Sequence, residues 1–154
     1  MTFRITGLPA TEFQHWFALS DAELAQRHAV RRTADRKPGF PCRISLTDAE
    51  IGDDVLLINH EHLAVASPYR SRHAIYIRAN EQTFDAVDEV PAMLRTRALS
   101  LRGFDDNGMM TAADVVDGSE LEAAIAEMFA DPATCYLHAH FAKPGCYAAR
   151  IERA

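Results

Sequence analysis

Apolar and polar residues alternate from the start of the chain: Phe3 and Ile5 share one face of an extended segment, Arg4 and Thr6 the other. The period then changes. In TEFQHWFAL, Phe13, Trp16 and Phe17 recur at helical spacing, which predicts a short amphipathic helix. Ser20 and Glu23 stand as a capping box, so a second helix starts at Asp21 and buries Leu24. Pro38, Gly39 and Pro41 punctuate a loop, and CRISL is a short strand candidate. VLLINHEH holds an unbroken aliphatic run, the pattern of a central strand buried on both faces. HAIYIRA alternates as a further strand, while EQTFDAVDEVPAM reads as a helical turn or a plain connection.

LRTRALSLRGF alternates again, with Leu99 and Leu101 on one face beside Arg95 and Arg97. DDNG is a turn signal ahead of a partner strand in MMTAADVVDG. Ser119 and Glu122 read as a second capping box before a helical face of Leu121, Ile125, Met128 and Phe129, and Asp131-Pro132 stops that helix. Strands outnumber helices, neighbours are joined by hairpin-length turns, and regular βαβ alternation is missing. The expectation is an α+β fold: a single domain over residues 1–154, with a largely antiparallel curved sheet and two or three short helices. No dinucleotide-binding or P-loop glycine pattern occurs.

The segment from Tyr136 to Arg153 predicts a hairpin. Leu137, Ala139 and Phe141 face one way, and Tyr136, His138 and His140 the other. A loop of Lys143, Pro144 and Gly145 pairs Phe141 with Tyr147, Ala139 with Ala149 and Leu137 with Ile151. That register puts the apolar set on one face, with Gly145 in a left-handed bulge position. The other face then gathers His138, His140, Cys146, Arg150 and Glu152. The plain reading of such a face is a solvated one.

Composition narrows the function classes. Charged residues are 25% and the net charge is −6, so neither nucleic acid nor an anionic membrane surface is an expected partner. The opening residues lack a signal-peptide pattern, and no run approaches the roughly 20 apolar residues of a membrane helix. Three cysteines without paired spacing, Cys42, Cys135 and Cys146, read as free thiols in a reducing cytoplasm. Arginine supplies 14 of the 16 basic residues, and guanidinium forks suit carboxylate and phosphate groups.

Candidate chemistry falls in loops and on the hairpin. Cys42 follows a proline-constrained loop and precedes Arg43; a guanidinium beside a thiol favours the nucleophilic form, and His73 or His138 could serve as base. Cys42, His73 and His138 are therefore the catalytic candidates. Arg43, Tyr69, Arg70, Cys146 and Arg150 are the ligand-binding candidates, with an anionic small molecule as the expected partner. No cofactor is predicted. The alternatives are a divalent metal on the two His-x-His pairs, His60 with His62 and His138 with His140, and a non-catalytic module that binds a protein or associates with itself.

GFPCRISLTDAEIGDDVLLINHEH, SPYRSRHAIYIR, RGFDDNGMMTAADVVDG and LHAHFAKPGCYAARIERA together resemble the uncharacterised bacterial family known as domain of unknown function 1203. The resemblance runs from Phe3 to Arg153. It implies a single-domain cytoplasmic protein, and it implies no activity, cofactor or catalytic residue.

Overall fold

The computed structural model describes all of residues 1–154. In chain order the strands are β1 (Phe3–Thr6), β2 (Val30–Thr33), β3 (Pro41–Cys42), β4 (Thr47–Asp48), β5 (Asp54–Leu63), β6 (Ser71–Arg78), β7 (Asp85–Val87), β8 (Ala98–Phe104), β9 (Met110–Asp117), β10 (Tyr136–Phe141) and β11 (Tyr147–Arg153). The helices are α1 (Ala10–Phe13), α2 (Asp21–Gln26), α3 (Ala92–Arg95) and α4 (Leu121–Met128). None of them is long and apolar enough to cross a membrane.

The α+β expectation holds, with two sheets in place of one. The first has the order β7-β1-β11-β10-β8-β9 and the second β2-β5-β6-β3-β4. Every pairing is antiparallel except that of β3 with β6. One face of the first sheet packs on α3 and α4: Leu99, Leu101, Leu137 and Ile151 join Leu94, Leu121 and Ile125 in the largest core cluster. Burying each such side chain contributes about 1.5–3 kcal/mol. The opposite face is covered by the second sheet, whose Leu56, Ile58, Ile75 and Ile77 cluster with Phe13, Leu24 and, from the first sheet, Tyr147.

Strand β10 is therefore buried on both faces along its whole length. The expectation of a solvated histidine face is corrected here, because the second sheet lies on it. The hairpin register also differs. Leu137 pairs with Ile151 and Ala139 with Ala149 as expected, but an irregularity then sets His140 opposite Tyr147. Gly145 adopts the left-handed conformation, φ +79°, and its amide donates to the carbonyl of Phe141. The slip moves Tyr147 from the apolar face onto the face of His140.

Local signals fared unevenly. The Ser20–Glu23 capping box forms, with both reciprocal hydrogen bonds. The Ser119–Glu122 box does not: Asp117 caps a 3-10 turn by accepting from the amide of Ser119, α4 begins only at Leu121, and Glu122 instead pairs with Arg95. Strand β5 is interior to its sheet, flanked by β2 and β6.

Candidate functional site

Tyr147 joins two polar assemblies. Its ring lies among histidines, and its main-chain oxygen accepts a hydrogen bond from Arg43.

On the ring side, His138 and His140 project from β10 and His60 and His62 from β5 on the facing sheet. His62 stacks on Tyr147 at 5.4 Å between centroids, and His138 meets the same ring edge-on at 5.0 Å. His138 and His140 are 2% and 1% exposed. Burial is the main influence on all three imidazoles: it pulls His62 down to about 4, His138 to about 2 and His140 to about 3, and Arg102 adds to the effect at each. They are neutral, and hydrogen bonds fix the tautomers of His62 and His140. The single Ser71 hydroxyl proton goes to the carbonyl of Tyr69, so His62 Nε2–H donates to Ser71 Oγ and leaves a bare Nδ1. His140 donates from Nδ1 to the carbonyl of Gly145 and keeps Nε2 bare. The buried Nδ1 atoms of His62 and His138 have no partner, which a lone pair tolerates better than an N–H.

Ligand spacing is met by one pair only. Imidazoles sharing one ion at about 2.0–2.1 Å hold their centroids about 5 Å apart at tetrahedral angles. His62 and His140 lie at 5.0 Å, whereas His138 is 6.3 Å from each of them. As placed, the three rings do not converge on one ion.

On the carbonyl side, β3 ends at Cys42 and the chain turns, carrying the Arg43 side chain under the β10–β11 bend. Arg43 is 2% exposed. It donates to the carbonyls of Tyr147 at 2.8 Å and Pro41 at 2.6 Å, and to Cys146 Sγ at 2.8 Å, with no carboxylate in reach. Burial works against its charge, and Cys146 is the largest opposing influence. The guanidinium remains protonated, as arginine does in proteins. Arg43 and Arg97 both approach the Phe141 ring, their guanidinium carbons 4.9 and 5.0 Å from its centre.

Arg43 and Cys146 line a cavity of about 760 Å³, between the free side of β6 near Ala74 and the β10–β11 bend. Its charged lining is Arg36, Arg43, Arg97 and Lys143, joined by His73, and it includes no carboxylate. Asp48, outside the lining, holds Arg97 with two hydrogen bonds, leaving Arg36 and Lys143 as the exposed cations at the rim.

Of the candidates read from the sequence, the cavity brings together Arg43, His73 and Cys146. Cys42 is fully buried in the aliphatic cluster of the second sheet. Tyr69 and Arg70 lie on an exposed loop, where Tyr69 meets Phe104 and Arg70 pairs with Glu61. Arg150 stacks over Tyr136 and pairs with Glu152, and His138 belongs to the imidazole cluster. His60 stands directly opposite His73 across β5 and β6. Arg36, Arg97, Lys143 and Tyr147 were not singled out. For Arg97 a signal existed: it shares its alternation phase with Leu99 and Leu101, and a cation in a core-facing row needs a partner. For Arg36 and Lys143 none existed, because lone loop cations are common.

The family described as "Protein of unknown function (DUF1203)" matches residues 39–153 of the chain. The chain belongs to this family. No curated protein and no solved structure matches it. The part matched to DUF1203 begins at Gly39 and takes in Arg43, the histidines of β5, β6 and β10, Arg97, and the bend from Ala142 to Cys146, while Arg36 precedes it.

Proposed function

We propose that this DUF1203 protein binds an anionic small molecule in the cavity beneath the β10–β11 bend. The observation that carries the reading is the lining: four cationic side chains and a histidine without one carboxylate, in a chain of net charge −6. Asp48 and Asp35 engage Arg97 and Arg36 from outside the lining, so Arg43 and Lys143 are the lining cations with no carboxylate partner. Arg43 would act as a fixed, dry donor aimed by two carbonyls, and the exposed cations Arg36 and Lys143 would draw the ligand in. The volume suits a ligand of metabolite size. The free thiols of Cys42, Cys135 and Cys146 support a reducing compartment such as the cytoplasm.

Calorimetric titration with pyrophosphate and with citrate tests the reading. At low salt, one of the two binds, and reversing both rim charges (Arg36→Glu with Lys143→Glu) weakens it at least tenfold. Both variants lie on the exposed surface, so folding is retained and checked by circular dichroism. Absence of binding by either anion, or affinity indifferent to the charge reversal, overturns it.

A further inference from the structure

Resting on that reading, we propose that Cys146 is a nucleophile in the cavity and undergoes thiol–disulfide exchange with low-molecular-weight disulfides that carry carboxylates. Cys146 is a lining residue of the cavity, 6% exposed at the edge of the largest core cluster, and its Sγ accepts an N–H from Arg43 at 2.8 Å. Nε and Nη1 each give one N–H to the carbonyls of Tyr147 and Pro41, which fixes the fork with Nη2 on the sulfur and leaves one further N–H on each Nη. The guanidinium is thus fixed against the atom that would attack.

The surroundings select among thiol reactions. Acyl transfer needs a base and a donor set for a tetrahedral oxyanion. Sγ is hydrogen-bonded to Arg43 alone, and no imidazole shares a hydrogen bond with it. Disulfide exchange asks for less: a thiolate to attack and a leaving thiolate that is stabilised as it departs. Cations supply both. The Cys146 thiolate attacks one sulfur of R–S–S–R; the new Cys146–S–S–R bond forms as the old S–S bond breaks, and its electron pair leaves with R–S⁻. The Cys146 proton goes to solvent beforehand. No net oxidant is required, since the reactant disulfide is itself reduced by the amount that Cys146 is oxidised. Lys143 and Arg36, at the rim, recognise carboxylates on either half of the reactant.

Oxidised glutathione, an anionic disulfide, and cystamine, a cationic one, are the probes. The intact protein is treated with each, and modification is mapped by peptide mass; Cys135→Ser removes the half-exposed thiol, which takes no part in the cavity. The expected result is a mixed disulfide on Cys146 that forms at least tenfold faster with oxidised glutathione, a preference that Lys143→Glu with Arg36→Glu abolishes. Equal rates with the two probes overturn the inference. So does an unmodified Cys146 in protein that still binds pyrophosphate or citrate, an outcome that leaves the anion reading standing. Loss of anion binding with rapid, charge-indifferent modification removes both.

Discussion

Arg43 is a buried cation whose partners are two carbonyls and a thiol, and that choice of partners has a consequence for stability. Three hydrogen bonds to two carbonyls and a sulfur, with no carboxylate among them, hold the guanidinium in place. Replacing it with methionine keeps the stem but leaves the oxygens of Pro41 and Tyr147 dry and without donors. Each buried acceptor stranded in this way costs about 1–3 kcal/mol. Arg43→Met is therefore expected to lower the unfolding free energy by about 2–4 kcal/mol in urea titrations, and Arg43→Lys, which keeps the charge but loses the fork, by an intermediate amount. If Arg43→Met unfolds with the wild-type free energy, the guanidinium does not satisfy these carbonyls.

At the scale of elements, the β10–β11 hairpin decides where the candidate site is, and it shows how far local sequence carries. Gly145 sits at φ +79°, and a Cβ there would meet nothing within 4 Å. The requirement is one of backbone conformation alone. Gly145→Ala should then cost only about 1–2 kcal/mol, the penalty of a left-handed L-residue, with Gly145→Asn milder; chemical denaturation of the two variants gives the ranking. The turn and the pairing of Leu137 and Ala139 were readable because turn chemistry and period-two alternation are local. The slip beyond Ala139 was not, since it is set by what Tyr147 can bury against. The chain's own alternation places Tyr147 with Ala149 and Ile151; across the sheet it finds the His62 stack and the aliphatic cluster of the second sheet, together with the edges of His138 and His140 from β10. For the same reason, Cys42 looked like a loop thiol. It stands between Pro41 and Arg43 in sequence, while in space it joins the cluster of Leu56, Ile75 and Ile77. Arg43, one residue on, was a ligand candidate by residue type alone; its partners lie about a hundred residues away at Cys146 and Tyr147, beyond the reach of any local signal.

For the whole molecule, stacking the second sheet on the β10 histidines ties stability to pH. His138 and His140 are held neutral by burial, with folded values near 2 and 3 against 6.5 when unfolded. Arg102 and Arg150 stand nearby and further oppose a proton, and Glu152, the nearby acid, is engaged by Arg150. Between pH 6.5 and those folded values, the unfolded chain binds protons that the folded chain refuses. Stability is thus complete above 6.5 and falls as the pH drops through that window. Each fully buried imidazole contributes about 1.4 kcal/mol per pH unit. From pH 7 to pH 5 the loss is about 2 kcal/mol per histidine, or about 4 kcal/mol for the pair. His62, depressed to about 4 but only half-buried, adds in the same direction by a smaller, solvent-screened amount. The aspartates lowered by arginine partners, Asp53 and Asp85, lose stability only below the ordinary carboxylate range, so they do not enter this interval. Unfolding free energies measured in urea at pH 7, 6 and 5 should trace this slope, and His138→Leu should roughly halve it. A stability level across that range would mean that these imidazoles take up protons in the folded state, and that water reaches the space between the sheets.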